Sequence, residues 1–161
     1  MAGLATDPVS TAATVVELHF AKEPQVAPFR IYAATDGSFA LEPADATIKG
    51  ARYHDNEMFS RSNIEWKANS TATFPIQVET AGNYEVLVQV KTAKMTAKAE
   101  FVARMGEVEL PFAIDANGNW RPVGLGTIEL SAGERQFQVR CKSIAKESMV
   151  KFATISLQPA K

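Results

Sequence analysis

From Tyr84 the chain alternates without a break: Tyr84, Val86, Val88 and Val90 fall on one side of a period-two pattern. That is the period of a β-strand, whose successive side chains point to opposite faces. A strand carrying a large apolar residue at every second position must have that face covered, so a second layer is required. The pattern recurs at Phe39-Leu41, at Phe74-Ile76-Val78, at Phe137-Val139-Cys141, and again over 125–130 and 149–157. Turn residues separate these runs: Thr80-Ala81-Gly82-Asn83, Met105-Gly106-Glu107 and Ala132-Gly133-Glu134-Arg135. Ten or so short strands, turns every ~8–12 residues and almost no helical period predict an all-β chain folded as a β-sandwich.

The regular pattern starts near Ser38. Before it, residues 1–13 show no period, Val16, Leu18 and Phe20 alternate as a strand, and Lys22-Glu23-Pro24 ends that strand. A second strand is expected over 29–33, ahead of the turn Thr35-Asp36-Gly37. The chain therefore divides into a strand-containing N-terminal extension, 1–36, and a sandwich, 37–161. Residues 51–63 are strongly polar and are expected to form a long loop.

Composition removes several functions. Seventeen Lys and Arg face eighteen Asp and Glu, a net charge of −1. Nucleic-acid binding calls for a basic surplus on one face, and attraction to an anionic membrane calls for the same. No apolar run approaches the ~18 residues of a membrane span. The one cysteine, Cys141, excludes an intrachain disulfide, and its phase with Phe137 and Val139 makes it a core residue. The N-terminus lacks the basic region and apolar core of a secretory signal. Met1-Ala2-Gly3 reads as an added start, which would make the chain a segment of a longer protein. Two isolated histidines, His19 and His54, offer neither a zinc site nor a catalytic triad. A carboxylate pair drawn from Asp55, Glu65 and Asp115 is a combination that any acidic β protein provides.

The residues that stand out lie on loops. Trp120 follows Asn117, Gly118 and Asn119 and precedes Arg121. An aromatic plane beside amides and a guanidinium is what a pyranose needs, since its C–H face stacks while its hydroxyls take hydrogen bonds. The alternative is that Trp120 caps the end of the core. Tyr53 and Asn56, in the polar loop with His54 and Asp55, are expected on the same rim. Trp66 shares its phase with Ile64, so it is either core or part of a binding platform. Tyr84 is structural. Lys91, Lys94 and Lys98 are expected to solvate an exposed strand edge, with contact to an acidic polysaccharide as the remaining option.

Four pieces in a shared order carry a family resemblance: Leu41-Glu42-Pro43-Ala44-Asp45-Ala46 leading to Ile48 and Gly50; Asn63-Ile64-Glu65-Trp66; Val78-Glu79-Thr80-Ala81-Gly82-Asn83-Tyr84-Glu85-Val86; and Asn117-Gly118-Asn119-Trp120 followed by Glu129-Leu130-Ser131-Ala132-Gly133. Over roughly residues 38–158 the chain resembles the jelly-roll carbohydrate-binding modules appended to secreted glycoside hydrolases and sulfatases. Within the extension, the segment 14–24 is similar to the closing strand of the β-sandwich that follows the barrel in α-L-fucosidase-type hydrolases. The resemblance implies a non-catalytic, monomeric module that binds carbohydrate through Trp120, Asn119, Asn117, Arg121, Tyr53, Asn56 and Trp66. It also implies a parent catalytic domain in cis and an extracellular or periplasmic location. A structural or protein-interaction sandwich without a sugar site is the alternative. Two departures are visible. The modules often hold a structural calcium with acidic residues of the first strand and an Asp of the last; here Glu42 and Asp45 stand at the front, but residues 150–155 offer no carboxylate. The final loop, 143–148, has Lys146 and Glu147 where an Asn would meet the sugar.

Overall fold

A computed structural model describes residues 17, 19, 21–23, 25–53, 63–93, 98–115 and 118–160. Of the first expected strand, 14–20, only residues 17 and 19 fall among them. Twelve strands follow: β1 (Ile31–Tyr32), β2 (Phe39–Leu41), β3 (Thr47–Lys49), β4 (Arg52–Tyr53), β5 (Ile64–Glu65), β6 (Thr71–Val78), β7 (Gly82–Thr92), β8 (Ala99–Met105), β9 (Val108–Ile114), β10 (Arg121–Leu130), β11 (Gly133–Ser143) and β12 (Val150–Pro159). One 3-10 turn, Pro43–Asp45, interrupts them. The strands form two six-stranded sheets. One runs β1-β6-β11-β8-β9 with β3 also on β6; the other runs β10-β7-β12-β5-β4 with β2 also on β12. All pairs are antiparallel except β1 with β6. The all-β sandwich expected from alternation is the fold.

The alternation decides which side chains meet between the sheets. Val86, Val88 and Val90 of β7 face Phe74, Ile76 and Val78 of β6 in one continuous core that also holds Phe137, Val139 and Cys141. Burying each large side chain contributes roughly 1.5–3 kcal/mol. Tyr84 takes the structural place expected of it, buried with its hydroxyl donating to the Thr80 carbonyl at 3.2 Å.

The expected turns sit between β6 and β7, β8 and β9, and β10 and β11, all at one end of the sandwich. The described residues that follow β5, β7, β9 and β11, namely 66–70, 93, 98, 115, 118–120 and 144–149, lie towards the other end. A bulge at Gly124/Gly126 bends β10. Gly126 has φ +121°, and a Cβ there would meet Leu110 Cδ1 at 3.0 Å, so glycine is needed both for the bend and for the close approach of β9.

Three expectations change. β1 joins the sheet through Ile31 and Tyr32, and Ile31 enters the core, so residues before position 37 contribute to the sandwich. The polar stretch 51–63 is not all loop, because Arg52–Tyr53 pair with Ile64–Glu65. Lys91 does not blunt an edge: β7 lies between β10 and β12, and β8, next to Lys98, lies between β11 and β9. Lys94 is outside the described residues.

Candidate functional site

Trp120 lies at the loop end, immediately before β10. Gly118 turns the loop at φ +81°, and its N–H donates to Thr92 Oγ1 at 3.3 Å, tying the loop to the end of β7. Held this way, Trp120 stays 39% exposed, the largest aromatic left open at this end among the described residues. Asn119 is exposed beside it. Arg121 behaves differently. It pairs with Val90, so its side chain starts on the core-facing side, and its Nε is buried with no hydrogen-bond partner among the described residues. Asn117 and Asn56 lie outside the described residues.

Register places Tyr53 far from Trp120. One row crosses the sheet as Arg121, Val90, Phe152, Ile64, Tyr53. Four strand spacings of ~4.8 Å make about 19 Å along the sheet. Tyr53 is half-buried, and its hydroxyl donates to the Ala46 carbonyl. The structure therefore brings Trp120, Asn119 and Arg121 together and sets Tyr53 at the opposite edge.

Trp66 takes the core position that was one of its two expected places. It is 2% exposed, edge-on to Phe101 with ring centroids 5.4 Å apart, and 5.1 Å from Phe152. Its peptide N–H donates to the Val150 carbonyl at 3.0 Å, while its indole Nε1 is buried with no partner among the described residues. Above it opens a cleft of about 430 Å³ whose walls include Lys67, Ile144, Lys146 and Ser148. The cleft and Trp120 share the loop end: Ala93 N–H donates to the Met149 carbonyl, and Thr92 pairs with Val150.

The next row outward was not foreseen. Lys91, Lys151, Glu65 and Arg52 are consecutive partners across β7, β12, β5 and β4, one residue on from the core-facing row, so they stand on the outer face. Glu65 accepts from Arg52 Nε at 3.0 Å and Nη2 at 2.6 Å, and lies 4.0 Å from Lys151 Nζ. The Lys151 side chain is only 8% exposed. Burial holds its ammonium below the ordinary lysine range; Glu65 opposes this, and repulsion from Lys91 and Arg52 adds to it. Alternation alone gives Lys151 an outward position, but nothing local in the sequence marks an outward lysine as buried.

Of the acidic residues expected at a calcium ion, Glu42 precedes the 3-10 turn and Asp45 is its last residue. The Thr154 hydroxyl lies 3.0 Å from each carboxylate oxygen of Glu42. Among the described residues no three His, Cys, Asp or Glu side chains converge. Calcium takes 6–8 oxygens, several of them anionic. Two carboxylates, one already engaged by a hydroxyl, do not fit that demand.

No protein-family model matches the chain, and no curated protein matches it. Solved structures do. A β-(1,4)-mannanase from Podospora anserina, composed of GH26 and CBM35, aligns at TM-score 0.62 and 17% identity over 78% of this chain; the chain spans only 28% of that enzyme. The C-terminal CBM6 of a marine laminarinase from Zobellia galactanivorans aligns at TM-score 0.60 and 20% identity, covering 75% of this chain and 98% of the module. A carbohydrate-binding module, CBM36, in complex with calcium and xylotriose aligns at 0.60 and 13%, covering 74% and 98%. The chain has the jelly-roll fold of these modules.

Proposed function

We propose that this chain is a non-catalytic carbohydrate-binding module that tethers a larger glycan-degrading enzyme to its polysaccharide. The observation that carries the reading is Trp120, 39% exposed at the loop end of a sandwich with the fold of sugar-binding modules. A large aromatic is costly to leave wet, and its flat face suits the C–H side of a pyranose. Asn119 supplies amide hydrogen bonds beside it, and Arg121 anchors the base of the loop; Asn117 and Asn56 complete the proposed set. The core Trp66 supports the loops from beneath, and the half-buried Tyr53 braces the far edge of the sheet against Ala46. Tethering works by effective concentration, so even weak sugar affinity raises the local amount of enzyme on its glycan. The module acts as a monomer beside a catalytic domain in cis, in the extracellular or periplasmic space where polysaccharides lie. No calcium-dependent step belongs to this reading.

The test is a glycan-array screen of the wild type beside Trp120→Ala. Binding by the wild type that is lost in the variant supports the module and its site. No binding by the wild type favours a structural or protein-interaction sandwich instead.

A further inference from the structure

A net charge of −1 hides a basic excess at one end of the sandwich. The hairpin end of the sandwich carries Glu79, Glu107, Glu129 and Glu134. Three arginines stand among them and nearly balance the charge: Arg30 pairs with Glu134 at 2.7 Å, Arg104 lies 3.7 Å from Glu107 and donates to the Gly106 carbonyl, and Arg135 donates to the carbonyls of Ala132 and Glu134. The loop end is not balanced. One sheet brings Arg52, Lys91 and Lys151 to it; the other brings Lys49, Arg140 and Lys142. The loops add Lys67, Lys98 and Lys146. Against these stand, among the described residues, Glu65, Glu100, Asp115 and Glu147, and Glu65 is already shared by Arg52 and Lys151. Lys67, Lys142 and Lys146 make no ion pair among the described residues.

The cleft beside Trp66 concentrates this asymmetry. Among the described residues its walls hold Lys67, Lys146 and the hydroxyl of Ser148 but no carboxylate, and Trp66 and Ile144 give it an apolar side. A neutral sugar hydroxyl both donates and accepts, so sites for neutral sugars mix acceptors with donors. Two ammonium groups offer donors alone, which suits a group that only accepts. Like charges held at one end also raise the local concentration of a polyanion there.

We infer that the glycan taken at the loop end is anionic, carrying carboxylate or sulfate groups seated between Lys67 and Lys146 while a sugar face rests on Trp120. This rests on the module reading and narrows its ligand class. Two different anions share the chemistry, and the test separates them.

Calorimetric titrations would use polygalacturonate, dextran sulfate, neutral dextran and laminarin, and a DNA duplex, at about 50 mM and about 300 mM NaCl. The expected result is at least ~10-fold tighter binding of one anionic polysaccharide than of either neutral one at low salt, most of that advantage disappearing at high salt. Whether polygalacturonate or dextran sulfate is preferred identifies the anion. Lys67→Gln combined with Lys146→Gln, both exposed positions, should abolish the preference, whereas Arg104→Gln at the far end should leave it intact. Neutral polysaccharides bound as tightly as charged ones would overturn the inference and leave the module reading standing. DNA bound as tightly as the best polysaccharide would overturn it in favour of an unselective polyanion surface. No polysaccharide bound at all would overturn both.

Discussion

Thr154 holds both carboxylate oxygens of Glu42 at 3.0 Å, joining the segment that precedes the 3-10 turn to the last strand. The one hydroxyl proton engages this exposed carboxylate from the protein side, and among the described residues no three acidic side chains converge as a calcium ion needs. A chelator is therefore expected to leave the melting temperature within about 1 °C, and added calcium to raise it no further, because ligand stabilisation needs a site that binds only the folded state. Thr154→Val should lower stability by about 1 kcal/mol, since it leaves the Glu42 oxygens without that donor. A melting temperature that rises with calcium in the wild type would sink this account.

The two tryptophans should separate stability from binding. Trp66 packs on Phe101 and Phe152 in the core, so Trp66→Ala is expected to cost about 3–5 kcal/mol in urea unfolding. Trp120→Ala removes a ring that is 39% exposed and should cost clearly less than Trp66→Ala while abolishing glycan binding. A large stability loss in Trp120→Ala would make that residue a core cap.

The sandwich was legible because alternation is local: Val86, Val88, Val90, Phe137 and Val139 each declare a buried face without knowing their partners. Trp120 was legible as a Trp on a Gly/Asn loop. The basic excess at the loop end was not, because it depends on strand register. Lys49 and Arg140 are 91 residues apart in the chain, yet both pair with Thr71. Lys91, next to Lys94 and Lys98, reads in sequence as part of an edge, since only the strand order places it on an inner strand. Tyr53 was assigned to the rim because its neighbours are polar, but two residues of pairing with β5 turn it towards Ala46.

Cys141 is fully buried, and that burial pushes its thiol up to about 11 from the usual 9.0. The native protein should resist alkylation at pH 8 and react fully once unfolded in urea, as mass spectrometry would show. The sign of the linked stability follows. Between pH 9 and about 11 the unfolded thiol has lost its proton and the folded one has kept it, so stability falls with rising pH across that window. Rapid native labelling would mean that the β11 core opens easily.

Lys151 and Glu65 should respond unequally to mutation. Glu65→Gln strips a largely buried ammonium of its counter-charge and is expected to cost about 1–3 kcal/mol. Lys151→Met removes the buried charge itself, leaves Glu65 with Arg52, and should be neutral or stabilising. The pH dependence distinguishes the two causes. Lys151 titrates below its unfolded value of 10.5, so between its folded and unfolded pKa the unfolded chain binds more protons and stability rises with pH. Removing Glu65 takes away the one interaction that raises that pKa, widening the window downward. The deficit of Glu65→Gln should therefore be greatest near neutral pH and shrink as pH climbs towards 10.5, measured by urea unfolding against the wild type. A deficit independent of pH would mean that the loss comes from the Arg52 hydrogen bonds rather than from the stranded ammonium.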